Sequence, residues 1–221
     1  MNVKISAKDD SFNKDLYLRE SHNCYSYFLN LKSKEAYDLC KKNYKTEKMC
    51  RRSQPGYASH HPTLKTEDFN CPNIMKRTLS DNPYIFQSSK DFDCGPEYYK
   101  GALVVAPKRD YHYYRLNDEK IWSHKPGYKP STYIDAKQQI ITDPEKADRD
   151  YGDTLNYKDF CGYMCIPKNP NKKYMKMYND ADKYVNNNKP LNRIKNTLQN
   201  KIKKIIKKRK KTRKKNKPVQ Q

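Results

Sequence analysis

The chain has 221 residues, of which 47 are Lys or Arg and 25 are Asp or Glu, giving a formal net charge of +22. Its longest apolar run, 102–106, is far shorter than the ~20 residues that cross a bilayer, so the sequence predicts no transmembrane helix. Residues 1–20 lack the apolar stretch of a signal peptide, which predicts an intracellular protein, with the nucleus and a virion as candidate locations.

The first half of the chain is predicted to be mainly helical. Residues 1–15 are polar and predict a loose lead-in. Apolar side chains then recur at helical spacing through 16–34, without Gly or Pro, and the pattern continues through 35–50. A further short helix is predicted over 73–82, ending before Pro83.

Residues that favour β-structure dominate the next segment. The predicted strands are, in chain order, 99–106, 111–116, 121–124, a hairpin of 133–135 with 140–142, and a last strand within 156–167. Helices followed by an antiparallel meander indicate an α+β fold, with one folded domain over residues 16–167.

A change in composition marks the end of this domain. Residues 168–189 are rich in Lys, Asn and Tyr and are predicted to be a linker. Residues 189–221 contain fifteen Lys or Arg and no Asp or Glu. That leaves 32 bases against 25 acids in residues 1–188, a net charge of +7, so most of the excess charge belongs to the tail.

The basic tail, residues 190–221, has two predicted parts. Apolar residues at helical spacing between 191 and 206 predict an amphipathic helix, and a polycation follows. Without aromatic side chains, such a tail would bind the phosphates of DNA or RNA, or another polyanion such as an anionic membrane surface, without reading bases. A nuclear address and a solvated tail that only aids solubility are the alternatives. The basic residues expected to bind are Lys201, Lys203, Lys204, Lys207, Lys208, Arg209, Lys210, Lys211, Arg213, Lys214 and Lys215.

Three side chains of the domain could carry chemistry. Ser21 and Asn23 are both good N-caps, and a helix that begins here would place Cys24 in its first turn, where the helix dipole favours a thiolate. A tight turn between two predicted strands can bring His112 and His124 onto one face of a sheet. A thiolate, an imidazole and a polar group that orients the imidazole form the arrangement of thiol hydrolases. A buried cysteine that serves only as a small apolar side chain is the plain alternative.

Local strings of the domain resemble a known superfamily. The strings are 23–30, 102–105, 110–115, 122–127 and 160–167. They resemble papain-like cysteine peptidases and amidases, similar to the NlpC/P60 and CHAP groups, in a poorly characterised branch found in bacteria and large DNA viruses. The resemblance covers about residues 20–167. It implies a Cys-bearing helix packed on an antiparallel sheet, with Cys24 as nucleophile, His112 as base and His124 as the group that orients His112.

The resemblance also implies a reaction, the hydrolysis of an amide bond in a peptide or peptidoglycan-like substrate. The backbone N–H of Cys24, with Asn23 or His22, is expected to hold the oxyanion. Trp122 and Ser123 are expected to line the substrate cleft. No cofactor is implied, and the sequence does not choose among the possible amide substrates.

The remaining cysteines allow two further interpretations. Seven cysteines without a signal peptide favour reduced thiols, with one disulfide left open. Zinc would require closely spaced ligand pairs at both ends of its site, and only one such pair is present, so no metal site is predicted. The zinc ligands considered are Cys71, Cys94, Cys161, Cys165 and the pair His60 and His61.

A rival hypothesis from another class is a non-catalytic structural protein, a virion or nucleic-acid packaging component on an inactive papain-like scaffold. An enzyme should have Cys24 partly exposed beside His112, with His124 next to it. A scaffold should have a filled groove, or these side chains pointing apart.

Overall fold

A five-stranded antiparallel sheet organises the part of the chain that the computed structural model describes, residues 11–47, 50 and 52–177. The strands are β1 Phe86–Ser88, β2 Tyr98–Ala106, β3 Asp110–Leu116, β4 Trp122–His124 and β5 Asp159–Pro167. They lie in the order β1-β5-β2-β3-β4. With four helices before the long strands, the fold is α+β, as the sequence predicts.

The path of the chain through the sheet is less regular than the predicted meander. Strands β2, β3 and β4 follow one another as neighbours, joined by short turns. The last strand, β5, instead pairs with β2 on the side away from β3, with Gly101 opposite Met164. The edge strand β1 was not predicted, because a strand of three residues carries too little alternation to recognise.

The helices before residue 50 are shorter than predicted, whereas the helix predicted over 73–82 begins two residues earlier. They are α1 Leu16–Ser21, α2 Cys24–Phe28, α3 Lys34–Glu47 and α4 Cys71–Asp81. The predicted continuous helix over 16–34 is wrong, because Asn23 is extended (φ −107°, ψ −166°) and its side chain accepts the N–H of Ser26 as the N-cap of α2. Within the described ranges no helix is long and apolar enough to cross a membrane.

Side chains of β2 and β3 alternate between two hydrophobic cores. Leu103 and Tyr113 point to the first core, which α2 and α4 cover. Val104 and Tyr114 point to the second core, on the opposite face, which is covered by the long segment between β4 and β5. This alternation decides which candidate residues of β3 can reach α2.

The chain after β5 still packs on the domain. The N–H of Lys168 donates to the carbonyl of Glu97 at 2.8 Å, and the N–H of Tyr174 donates to Asn82 Oδ1 at 2.7 Å. Lys173 and Met177 are buried. The first ten residues of the predicted linker therefore belong to the folded part, and the rest of the linker and the basic tail lie outside the described residues.

Gly101 of β2 fixes how closely α2 approaches the sheet. A Cβ at this position would lie 2.4 Å from Cε2 of Phe28 and 2.7 Å from Cδ1 of Ile166. The Phe28 ring also packs on Tyr113, with the ring centroids 4.6 Å apart. Only glycine allows this contact without displacing the helix.

Gly101→Ala should therefore lower the free energy of unfolding by about 1–3 kcal/mol, the usual cost of overpacking a core. Urea denaturation measures the change. Gly152→Ala is the control, because a Cβ there meets no atom within 4 Å and only its φ of +77° is unfavourable. An equal or smaller loss for Gly101→Ala would contradict the packing described.

Candidate thiol–imidazole site

The two predicted imidazoles lie side by side on the second core. The register of β3 and β4 pairs Tyr114 with His124, and His112 lies two residues earlier on the same face. Nε2 of His112 is 2.7 Å from Nδ1 of His124, and the two rings are nearly perpendicular. Both residues are buried, with exposed fractions of 3% and 1%. A hydrogen bond thus joins the two histidines inside the protein.

The partners of His124 fix the tautomers of both rings. Nε2 of His124 lies 3.0 Å from the carbonyl oxygen of Ile134 and must donate, since a carbonyl only accepts. Nδ1 of neutral His124 therefore carries a lone pair and accepts the proton on Nε2 of His112. In neutral His112 the remaining nitrogen, Nδ1, is then unprotonated and available as a base.

Burial keeps both imidazoles neutral near pH 7. It lowers the pKa of His124 to about 4, opposed by the Ile134 carbonyl, which favours the protonated ring. It lowers the pKa of His112 well below its ordinary value, and repulsion from His124 adds to the effect. Neither ring can therefore supply the imidazolium that would stabilise a resting thiolate.

Cys24 begins helix α2, as the N-cap pattern predicts, but its thiol is enclosed. The residue is 6% exposed and belongs to the first core. The lowered thiol pKa expected from the helix dipole is wrong. Burial and, to a smaller extent, the negative charge of Asp110 raise the pKa of Cys24 to about 12. The helix has only five residues, and burial outweighs its field.

Cys24 lies beside the backbone of His112 without bonding to its ring. Its thiol lies 3.9 Å from the carbonyl oxygen of Tyr111, the group that joins Tyr111 to His112. The His112 ring packs instead with Tyr114 and Tyr157, each at a centroid distance of 5.3 Å. Within the described residues neither imidazole is hydrogen bonded to the thiol. The fold thus brings the histidines together and places Cys24 next to the strand that carries His112.

The two side chains expected at the oxyanion have other partners. Asn23 donates to the carbonyl of Ser53 at 2.8 Å, while its Oδ1 accepts the N–H of Ser26. His22 has Nε2 2.9 Å from the N–H of Ser33 and Nδ1 3.0 Å from the carbonyl of Leu18. Both side chains therefore hold α2 in place, with the Asn23 amide directed at Ser53 and Nδ1 of His22 directed at Leu18.

The two residues expected in a substrate cleft are also buried. Trp122 is 5% exposed in the second core and packs against the ring of Tyr163. Ser123 lies on the opposite face, where its hydroxyl is 2.7 Å from the hydroxyl of Tyr27 and accepts from the Asn117 amide. The contacts of both residues are those of core packing.

Two basic residues near the thiol were not recognised from the sequence. Lys125 is fully buried, and its ammonium donates to the carbonyls of Arg19 and Gly127 at 2.7 Å each. Burial lowers the pKa of Lys125 to about 7, and the charge of Arg52 adds to this. Arg52 in turn packs its guanidinium 3.2 Å from the ring centroid of Tyr128. Nothing in the local sequence distinguishes these side chains from the many solvated bases.

Six of the seven cysteines form disulfides, contrary to the expectation of reduced thiols. The pairs are Cys40–Cys50, Cys71–Cys161 and Cys94–Cys165, and Cys24 remains free. All four cysteines considered as zinc ligands are therefore in disulfides and cannot bind zinc as thiolates. Spacing along the sequence did not reveal these pairs, because two of them join distant cysteines. The sequence separation is 90 for Cys71–Cys161 and 71 for Cys94–Cys165.

A titration of thiols tests this pairing. The chain unfolded in guanidinium without reductant should expose one thiol to Ellman's reagent, and seven after reduction. Cys24→Ser should bring the unreduced count to zero. Thiol–disulfide exchange must be prevented during purification. A count of several thiols in the unreduced chain would then contradict the pairing.

The buried histidines also predict how stability depends on pH. Burial lowers the pKa of His22 to about 4, the same direction as for His112 and His124. As the pH falls below about 6.5, the unfolded chain binds protons that the folded chain does not, so the free energy of unfolding falls. His22 and His124 each contribute a loss on the order of 3 kcal/mol by pH 4, and His112 acts in the same direction.

Urea denaturation at steps between pH 6.5 and 5 measures this slope. His22→Gln should reduce it, because one of the three depressed groups is removed. An unchanged slope in His22→Gln would show that this ring is not buried in its neutral form.

Comparison with known proteins gives one partial likeness. No family model matches the chain, and no solved structure matches it. The curated protein "Insoluble matrix shell protein 1" of Ruditapes philippinarum is 43% identical over 65 residues, which are 29% of this chain. The matched part spans 40% of the length of that relative. The chain is similar to a shell matrix protein over less than a third of its own length.

Proposed function

We propose that the folded domain is a papain-like thiol hydrolase that cleaves an amide bond with Cys24, His112 and His124. The observation that carries the proposal is the hydrogen-bonded series from the Ile134 carbonyl through His124 to His112. This series leaves an unprotonated nitrogen on His112, on the strand against which the Cys24 thiol lies.

Packing alone is a poor explanation for two buried imidazoles. Removing polar rings from water is unfavourable unless each nitrogen finds a partner, and apolar side chains would fill the same space without that requirement. Within the described residues, three of the four ring nitrogens have a hydrogen-bond partner, and the fourth, Nδ1 of His112, is the one that a base needs. The arrangement is therefore better suited to proton transfer than to stability.

The proposed reaction follows from the neutral resting state. Because thiol and imidazole are both uncharged, the proton must leave Sγ of Cys24 as the sulfur attacks the amide carbonyl carbon, and Nδ1 of His112 accepts it. His124 then stabilises the imidazolium by accepting from its Nε2–H. His112 returns the proton to the leaving amine as the C–N bond breaks. Water, activated by the same nitrogen, hydrolyses the thioester and frees Cys24.

Catalysis on this account requires the site to open. The Cys24 thiol lies at the carbonyl of Tyr111 on the α2 face of β3, whereas the His112 ring lies on the opposite face. The start of β3 must therefore move, as well as the thiol, for Sγ to reach His112. The side chains of Asn23 and His22 keep their structural bonds, so the backbone N–H at Cys24 would have to hold the oxyanion. Peptides and peptidoglycan-like amides fit this chemistry equally.

A second candidate is a non-catalytic structural protein of an extracellular matrix. Three disulfides favour an oxidising compartment, in contrast to the intracellular location predicted from the sequence. The partial likeness to a shell matrix protein and the burial of Cys24 favour it too. For either candidate, we propose that the basic tail of residues 190–221 tethers the protein to nucleic acid or another polyanion, on the basis of its charge alone.

The reactivity of Cys24 separates the two candidates. In the folded, unreduced protein, alkylation of Cys24 by iodoacetamide at pH 7 should slow by about tenfold or more in His112→Gln, because the base that removes the thiol proton is lost. Intact-protein mass spectrometry gives the rate, and Cys24→Ser gives the background.

Tyr114→Phe is the matched control, because its ring contacts His112 but supplies no base near pH 7. It should leave the rate unchanged. If the protein is structural, Cys24 of the native chain should be labelled slowly. His112→Gln should then leave that rate unchanged or raise it, because loosened packing exposes the thiol.

A further inference from the structure

A cavity lies away from the residues of the thiol–imidazole site. Its volume is about 560 Å³, and its walls come from residues 31–33, Ala58, Asp81 and residues 173–176. Leu31, Ala58 and Met175 supply apolar surface. None of Cys24, His112 and His124 lines it. The cavity therefore needs its own explanation.

Lys173 is the unusual group in this cavity. The residue is 5% exposed, and its Nζ lies 5.3 Å from the ring centroid of Tyr99. Within the described residues no carboxylate or carbonyl accepts a hydrogen bond from this amine. The nearby carboxylate of Asp81 is already occupied by four donors, from Tyr25, Gly56 and Ser59. A buried amine without an ion pair is rare in a chain with so many solvated lysines.

The charged groups around Lys173 favour its neutral form. Burial lowers the pKa of Lys173 to about 7, and the guanidinium of Arg115 on β3 adds repulsion. Lys32 and Lys176 also line the cavity, so the one acid among its walls, Asp81, is balanced by bases. Near pH 7 the Lys173 amine is then neutral, with a free lone pair, in about half of the molecules. For an ordinary lysine the neutral fraction is below about one in a thousand.

We propose that Lys173 is a nucleophilic amine that captures a small aldehyde or ketone with an apolar body as a Schiff base. The Nζ lone pair attacks the carbonyl carbon, and the carbonyl oxygen takes a proton to give a carbinolamine. That oxygen then leaves as water when the C=N bond forms, so no oxidant or reductant is consumed. The apolar walls accept the body of the ligand, and the Tyr99 ring faces the protonated imine.

Trapping with benzaldehyde and sodium cyanoborohydride at pH 7 tests the proposal, because cyanoborohydride converts an imine into a stable benzylamine. Peptide mass spectrometry then compares Lys173 with the exposed lysines Lys129 and Lys158 of the same molecule. Lys173 should be labelled about tenfold faster or more, and guanidinium should abolish that advantage. Its rate should level off above about pH 7–8, while the rates of Lys129 and Lys158 rise toward pH 10.

Lys173→Arg is the matched variant, since it retains the cation over Tyr99 but has no nucleophilic amine. It should remove the fast site and leave labelling of Lys129 and Lys158 unchanged. If Lys173 in the wild-type protein is labelled no faster than these two lysines, the amine is closed off by packing and the proposal is wrong.

Discussion

A buried imidazole has two ring nitrogens to satisfy, and in this domain that requirement links the sheet to the loops around it. His124 meets it with the carbonyl of Ile134 on one side and His112 on the other. The bond to Ile134 requires the chain after β4 to turn back, which it does where His124 pairs with Thr132. The bond to His112 requires the register of β3 with β4. Loop position, strand register and proton location therefore depend on one another.

The same alternation of side chains that joins the histidines separates them from the cysteine. Even-numbered residues of β3 face the second core with the imidazoles, and odd-numbered ones face α2. Cys24 reaches β3 at the peptide group between Tyr111 and His112. Its thiol is protonated and enclosed, which protects it from oxidation while the other six cysteines form disulfides. A buried, protonated Cys24 thiol can therefore coexist with three disulfides in the same domain.

Much of this arrangement could be predicted from the sequence because it depends on local patterns. The N-cap at Asn23 and the short turn between β3 and β4 place Cys24, His112 and His124 on their elements. Other features depend on contacts between distant segments. The position of β5 beside β2 and the bond between Cys71 and Cys161 leave no periodic signal. The raised pKa of Cys24 could not be predicted either, because it follows from burial, which sequence position alone does not specify.

The proposed chemistry depends on a single proton position, the unprotonated Nδ1 of His112. ¹⁵N NMR of the histidine side chains at pH 7, assigned with His112→Gln and His124→Gln, measures it directly. The account predicts neutral rings for both residues, each with its proton on Nε2 and an unprotonated Nδ1. A proton on Nδ1 of His112, as the other tautomer or as imidazolium, would leave no base for the Cys24 thiol and would contradict the proposed function.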